Sequence, residues 1–264
     1  MPKVTYGDPD GDGMYSWTQA ALKKLGATGS KAPAVHDETD DIDAEAIASA
    51  NPDVILGVQS GVTAKQFSTL SSIAPVVAYP GIPWAAPWRT VVTESAKALG
   101  LEDKGKQVIE QNEEAISEAL AKYPQIKGKT AAVMYFDTSK LSNISVYISN
   151  DPREQYLNDL SLKTPESVTK LSKNTTAFYK TVSSEHSDDF DDVDIIITYG
   201  DSTTLKTLQA DPLLGKIPAI KRGSVVVIDQ SSELSAGVSP SALSLPATVQ
   251  QYTKLIAAAV NATK

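Results

Sequence analysis

The sequence predicts an α/β protein of two strand-and-helix units joined by one long helix. Three observations carry that expectation: five short apolar runs rich in β-branched residues, helical patterns between them, and one helical pattern much longer than the rest. The runs are 53–58 (DVILGV), 75–79 (PVVAY), 131–136 (AAVMYF), 194–199 (DIIITY) and 224–228 (SVVVI). They are apolar on successive residues rather than alternating. That pattern marks strands covered on both faces, as in a parallel sheet flanked by helices.

The helical patterns follow in chain order. Residues 43–50 open on acids and stop before Asn51-Pro52, because a residue preceding proline is biased out of helical geometry. Residues 87–99 close at Gly100. The longest pattern, 102–124, places Ile109, Ile116, Leu120 and Tyr123 at helical spacing beside Val108, Ala115 and Ala119. Glu102 and Asp103 favour its amino end, and Pro124 ends it. At 1.5 Å per residue it would span ~33 Å, about the diameter of a small domain. Residues 247–262 form the last helix. The expected division is an amino-terminal lobe at 1–101, an interlobe helix at 102–124 and a carboxy-terminal lobe at 125–264. The first lobe is short of strands, with two runs against three.

Composition narrows the function. The chain has 264 residues, a formal charge of −8 and 41% hydrophobic content, as expected of a globular protein of one large or two small domains. Its acidity and scattered lysines and arginines argue against a nucleic-acid partner, which needs a clustered basic surface. Cysteine is absent, which excludes disulfides, thiolate nucleophiles and cysteine metal sites. No apolar run reaches the ~20 residues of a membrane helix, and the polar start at Met1 does not read as a signal peptide.

Enzyme motifs are missing. There is no G-x-G-x-x-G and no phosphate loop. In Gly57-Val58-Gln59-Ser60-Gly61 the serine falls one place too late for a nucleophile elbow. The two histidines, His36 and His186, lie beside acidic runs as solvated side chains. No residue is nominated as catalytic, and the expected protein is not an enzyme. Asp8, Asp10 and Asp12, followed by Gly13, match the start of a calcium loop. However, Gln19 stands where a bidentate glutamate belongs, so a polar turn is the stronger reading. The acidic stretches 37–43 and 188–194 read as solvated loops rather than metal sites.

The cluster Trp84, Trp88 and Arg89 is the strongest binding signal. Pro80, Pro83 and Pro87 stiffen its loop. Indole faces suit planar or greasy ligands, and a guanidinium supplies a permanent forked charge. The competing reading has both rings packed in the core between lobes. Ligands of open α/β sheets sit beyond the carboxyl ends of strands. Those ends carry Gln59-Ser60-Gly61, Tyr79-Pro80, Phe136-Asp137 and Tyr199-Gly200-Asp201-Ser202. Arg153, opening a helical pattern after Asp151-Pro152, faces the same cleft or pairs with Asp151 or Glu154 at the surface.

Several blocks, in order, resemble a known family. They are 43–47 (DAEAI) with 51–57 (NPDVILG), 73–77 (IAPVV) with Pro87-Trp88-Arg89, and 98–102 (ALGLE) running into the long helix. They continue with 211–213 (DPL) through 217–225 (IPAIKRGSV) and end with 239–244 (SPSALS). The chain resembles the class III substrate-binding proteins of iron-siderophore ABC importers over nearly its whole length. That resemblance implies two Rossmann-like lobes with mainly parallel sheets joined by one rigid helix. It implies capture of a ferric siderophore in the interlobe cleft and delivery to an ABC permease. The siderophore is transported ligand, and no cofactor or protein-bound metal is expected.

By position, the resemblance implicates Trp84, Trp88 and Arg89 from the first lobe and Tyr147, Arg153 and Tyr199 from the second. Ser60, at the carboxyl end of an expected strand, joins them as a candidate ligand-binding residue. The resemblance implies an extracytoplasmic location, as a periplasmic protein or cell-surface lipoprotein, with the targeting segment absent from this chain. The family's first strand-helix unit is expected to be missing or cut short, which would expose a sheet edge or part of a core and invite a homodimer. Two alternatives keep the fold. One is a haem- or corrinoid-binding protein with Tyr79, Tyr147 or Tyr199 as haem ligand. The other is a truncated, non-transporting paralogue that self-associates.

Overall fold

The computed structural model describes residues 1–8 and 10–262. Near the amino terminus, extended segments at Pro2 and His36 meet in a single parallel bridge. Helix α1 (Ser16–Lys24) lies between them in sequence. The Lys3 N–H donates to the His36 carbonyl at 2.8 Å, and the His36 N–H donates to Met1 at 3.1 Å. Before Ile55 the described residues hold no strand, only this isolated bridge. Beyond the bridge the Val4 N–H donates to the Gly13 carbonyl at 3.1 Å, and Gly7, Gly11 and Gly13 turn the chain with positive φ.

Helix α2 (Ala44–Ser49) forms where the acidic start predicts it, and the Asp43 carboxylate caps it by accepting from the Ala46 N–H at 2.9 Å. Strand β1 (Ile55–Gly57), helix α3 (Ala64–Ser71) and strand β2 (Val76–Ala78) follow. Thr63 and Gln66 close a capping box on α3. The two strands pair in parallel as a sheet of their own. On the free side of β1, Leu56 is 43% exposed. A cavity of about 700 Å³ lies there, between β1 and the segments holding Met1, Pro2, His36 and Glu38.

Helix α4 (Trp88–Ala98) starts immediately after Pro87, and Gly100 turns the chain with φ +66° into α5 (Glu102–Ala121). At 20 residues, α5 is ~30 Å long and is the expected long helix, ended three residues early by the turn at Pro124. It packs against α4 on one side and the carboxy-terminal helix α11 (Ser244–Asn261) on the other.

The second sheet contains β3 (Ala131–Tyr135), β4 (Asn143–Tyr147), β5 (Tyr179–Ser183), β6 (Ile195–Gly200) and β7 (Val225–Asp229), in the order β5-β4-β3-β6-β7. Strands β3, β6 and β7 are parallel and match the three expected runs. The sequence reading does not anticipate β4 and β5, which run antiparallel and make this sheet mixed. Helices α6 (Pro152–Asp159), α7 (Glu166–Leu171), α8 (Thr204–Ala210), α9 (Pro218–Arg222) and α10 (Glu233–Gly237) complete the chain.

Strand alternation divides the core into two layers. Ala131, Val133, Ile195, Ile197, Val226 and Ile228 join residues of α5, α6 and α11 on one face. Ala132, Met134, Ile144, Val146 and Ile196 join residues of α7, α8 and α9 on the other. Each such large side chain contributes roughly 1.5–3 kcal/mol when buried. Trp88 belongs to the first of these layers, so the start of α4 is embedded in the core of the second sheet. The α4–α5 contact depends on Gly105, where an added Cβ would lie 2.6 Å from the Ala96 Cβ. Gly105→Val should therefore lower the melting temperature by the equivalent of roughly 1–3 kcal/mol of overpacking. A calorimetric scan showing an unchanged midpoint would contradict that packing.

Candidate binding cleft

Between the two sheets lies a cleft of about 690 Å³. Its walls are Tyr6, Gln59, Trp84, Tyr135, Tyr147, Asp151, Pro152, Arg153, Phe178, Tyr199, Gln230, Ser235 and Ser239. Six are aromatic. Arg153 is the single cation among them and Asp151 the single anion.

Arg153 sits in the first turn of α6, and Asp151 precedes that helix as its cap. The Asp151 carboxylate is 2% exposed. It accepts from the Arg153 backbone N–H at 2.8 Å, from Nε at 2.8 Å and from Nη2 at 2.7 Å. The guanidinium lies over the Tyr147 ring at 3.9 Å from its centroid, and Nη1 donates to the Tyr199 hydroxyl at 3.4 Å. Burial opposes the charge on Arg153, but hydrogen bonding to Asp151 and the attraction of its carboxylate outweigh burial and raise the guanidinium pKa further. The two charges cancel within a fork–fork pair. Burial pushes the Tyr199 hydroxyl up to about 12, against the opposing influence of Arg153, and raises that of Tyr147 as well.

The opposite wall is Trp84. It is 53% exposed and holds φ +60°, a conformation that costs a bulky residue roughly 1–3 kcal/mol. Two hydrogen bonds impose it: the Trp84 N–H donates to the Ser60 carbonyl and the Gln59 Nε2 donates to the Trp84 carbonyl, both at 3.0 Å. The indole rests on Gly61, where any side chain would collide with Nε1. The Gln59 Oε1 is buried without a hydrogen-bond partner.

Trp84, Tyr147, Arg153 and Tyr199 of the sequence candidates therefore converge. Trp88 and Arg89, expected at the cleft mouth, do not line it. Trp88 is buried, 3% exposed, and its Nε1 donates to Asp159 Oδ2 at 2.9 Å. Arg89 donates from Nη1 to both Asp159 oxygens at 2.9 Å and from Nε to Glu113 at 2.7 Å. The reason is helical geometry: Trp88 opens α4 and points into the core rather than along the loop. Ser60 also lies outside the cleft, with its hydroxyl donating to the Gly57 carbonyl at 2.6 Å to hold the turn below Trp84. Tyr79 is half-buried and not in the wall, and His36 pairs with Glu38.

Asp8 and Asp12 are engaged in local bonding. Asp8 accepts from the Gly11 and Gly13 N–H groups, and Asp12 accepts from the Met14 N–H and from the Gln19 amide. Among the described residues no group of three or more acids and histidines could hold a metal ion.

Sequence reasoning missed Tyr6, Tyr135, Phe178, Gln230, Ser235 and Ser239, and nominated Phe136 in place of its neighbour. Phe136 is buried and Tyr135 faces the cleft. The alternation of β3 would have assigned the two correctly.

Residues 10–232 match the family described as periplasmic binding protein. The chain belongs to that family, which is one of extracytoplasmic binding proteins rather than enzymes. It is similar to the solved structure of PiaA from Streptococcus pneumoniae TIGR4 in complex with ferrichrome, at 39% identity, a TM-score of 0.94, and coverage of 100% of this chain and 86% of that one. A second structure of that iron-uptake ABC transporter substrate-binding protein matches at 38% identity and a TM-score of 0.89, covering 99% and 86%. Staphylococcus aureus SirA shares the fold at 18% identity and a TM-score of 0.69, covering 92% and 86%. No curated protein matches the chain. No helix among the described residues is long and apolar enough to cross a membrane.

Beneath the cleft, Glu154 is fully buried, and its Oε1 accepts from the Val133 N–H while Oε2 has no partner. Burial, with Asp151 nearby, raises its carboxyl well above the ordinary 4.5, against the opposing Val133 bond and Arg153. Its folded value exceeds its unfolded one, so its contribution to stability is complete below about pH 4.5 and is lost as pH rises through the folded value. Glu154→Gln cannot ionise and should gain thermal stability relative to the native protein across that rise. Parallel melting-versus-pH curves for the two would refute the assignment.

Proposed function

We propose that this protein captures a neutral ferric hydroxamate siderophore in the cleft and delivers it to an ABC permease. The single observation that carries the reading is the charge balance of the aromatic cleft. Arg153 offers donors while Asp151 cancels its charge. A neutral iron chelate meets aromatic faces and a few directed polar groups there. A trianionic triscatecholate would bring three charges to a wall with no free cation to match them. The chelator fills the iron's coordination sphere, so the protein contacts its organic shell and needs no metal ligand of its own. The likeness to the ferrichrome complex of PiaA supports the same choice.

In this reading residues 1–101 and 125–264 are two lobes, and 102–124 is the rigid spine that limits their movement. Trp84 serves one side of the chelate, with Tyr147, Arg153 and Tyr199 on the other. Haem is disfavoured because no histidine lines the cleft, and the raised hydroxyl of Tyr199 resists becoming the phenolate an iron ligand requires. Retention at the cell surface by a lipid would need a cysteine outside this chain, which contains none.

Titration with ferrichrome should quench indole fluorescence, and Trp84→Phe should remove most of that quenching. Affinity for ferrichrome should exceed that for a ferric triscatecholate by about 100-fold or more. Equal or tighter triscatecholate binding would overturn the hydroxamate reading.

A second reading, self-association, is favoured by one observation: among the described residues β1 pairs only with β2, and Leu56 is exposed beside the adjacent cavity. Sedimentation velocity at tens of micromolar would reveal a dimer, and a monomer there would dismiss it.

A further inference from the structure

The two walls of the cleft are carried on separate pieces of chain, and one side chain touches the supports of both. Trp84 is separated from Trp88 by Ala85, Ala86 and Pro87. Ala86 is buried and the ring of Pro87 fixes its own backbone angle, so the link between the two tryptophans is short and stiff. Arg153 and Asp159 occupy opposite ends of α6, a helix of eight residues ~12 Å long. Asp159 accepts from Trp88 Nε1 and from Arg89 Nη1, each at 2.9 Å. Arg89 also lies over the Trp88 ring, 4.4 Å from its centroid, and extends to Glu113 of α5.

We propose that Asp159 is a positioning residue for the cleft: by clasping Trp88 and Arg89 it fixes the separation between Trp84 and Arg153. The proposal rests on the cleft being the ferric hydroxamate site. Two details favour a positioning role. A carboxylate at the last residue of a helix opposes the helix dipole, so its placement there makes sense only through its partners. The same carboxylate joins α4 and, through Arg89 and Glu113, α5 to the helix that holds the cleft's cation. Neither Asp159, Trp88 nor Arg89 lines the cleft, so an effect on affinity must pass through residues that do, of which Trp84 and Arg153 are the ones joined to the clasp by a short link and by α6.

The test is a calorimetric titration of ferrichrome into the native protein, Asp159→Asn, Trp84→Ala and the double variant, with a melting scan of each. Trp88→Phe, which keeps an aromatic side chain but loses the N–H and part of the ring volume, serves as a second break of the clasp. Asp159→Asn and Trp88→Phe should each weaken binding by about tenfold, whereas Asp159→Asn in the Trp84→Ala background should cost at most about twofold. An equal loss in both backgrounds marks general destabilisation and overturns the proposal, as does unchanged affinity with only a lower melting point. Native protein that binds ferrichrome beside variants that bind equally well removes this proposal alone. Native protein that binds no ferrichrome removes the functional reading and this proposal with it.

Discussion

The ion pair between Asp151 and Arg153 is the constraint around which the cleft is built. Asp151 is almost wholly buried, and an uncompensated carboxylate there would cost roughly 3–5 kcal/mol. Arg153 answers it through three donors, including its own backbone N–H. The bonding that satisfies the charge also starts α6, so electrostatics and helix entry are solved together. Tyr147 and Tyr199 then pack around the guanidinium, and their placement follows from it. A cleft that kept Arg153 and lost Asp151 would present a bare cation and favour anions.

Helix α6 carries that arrangement into the body of the fold. Glu154, one residue beyond Arg153, reaches the Val133 N–H of β3, the central strand of the second sheet. Tyr156 packs on Tyr252 of α11 with ring centroids 5.7 Å apart, and Asp159 meets α4. A helix of eight residues thus touches the sheet, the last helix and the start of α4. The second sheet has a thick core on both faces. The first sheet has two three-residue strands and few buried side chains, and Trp88 inserts into the core of its neighbour.

The sequence made the five parallel strands and the long helix legible because each strand is apolar on successive residues, although only β3 and β6 are buried along most of their length, and β1 and β2 contain no fully buried residue. Strands β4 and β5 escaped for the opposite reason. Their residues, NISVY and YKTVS, alternate between the core and a partly exposed face, so no continuous apolar run marks them. The loop rich in proline pointed to Trp84, which lines the cleft. It could not separate Trp84 from Trp88, because four residues of spacing say nothing about which ring enters the core until the helix start at Trp88 is known. The pairing of Arg153 with Asp151, considered from sequence as a surface contact, is buried. Tyr6, Phe178 and Gln230 reach the cleft from segments distant in sequence, and no local pattern announces them.

A cleft whose arginine is already paired with Asp151 should select a neutral ligand. The most direct measurement is the dissociation constant of ferrichrome as a function of ionic strength. A neutral ligand in a charge-balanced cleft should bind with nearly constant affinity, within about twofold, between roughly 0.01 M and 0.5 M salt, where the screening length falls from ~30 Å to a few ångströms. A loss of affinity of an order of magnitude or more over that range would contradict it, because it would mean that free charge on the protein contributes to holding the ligand.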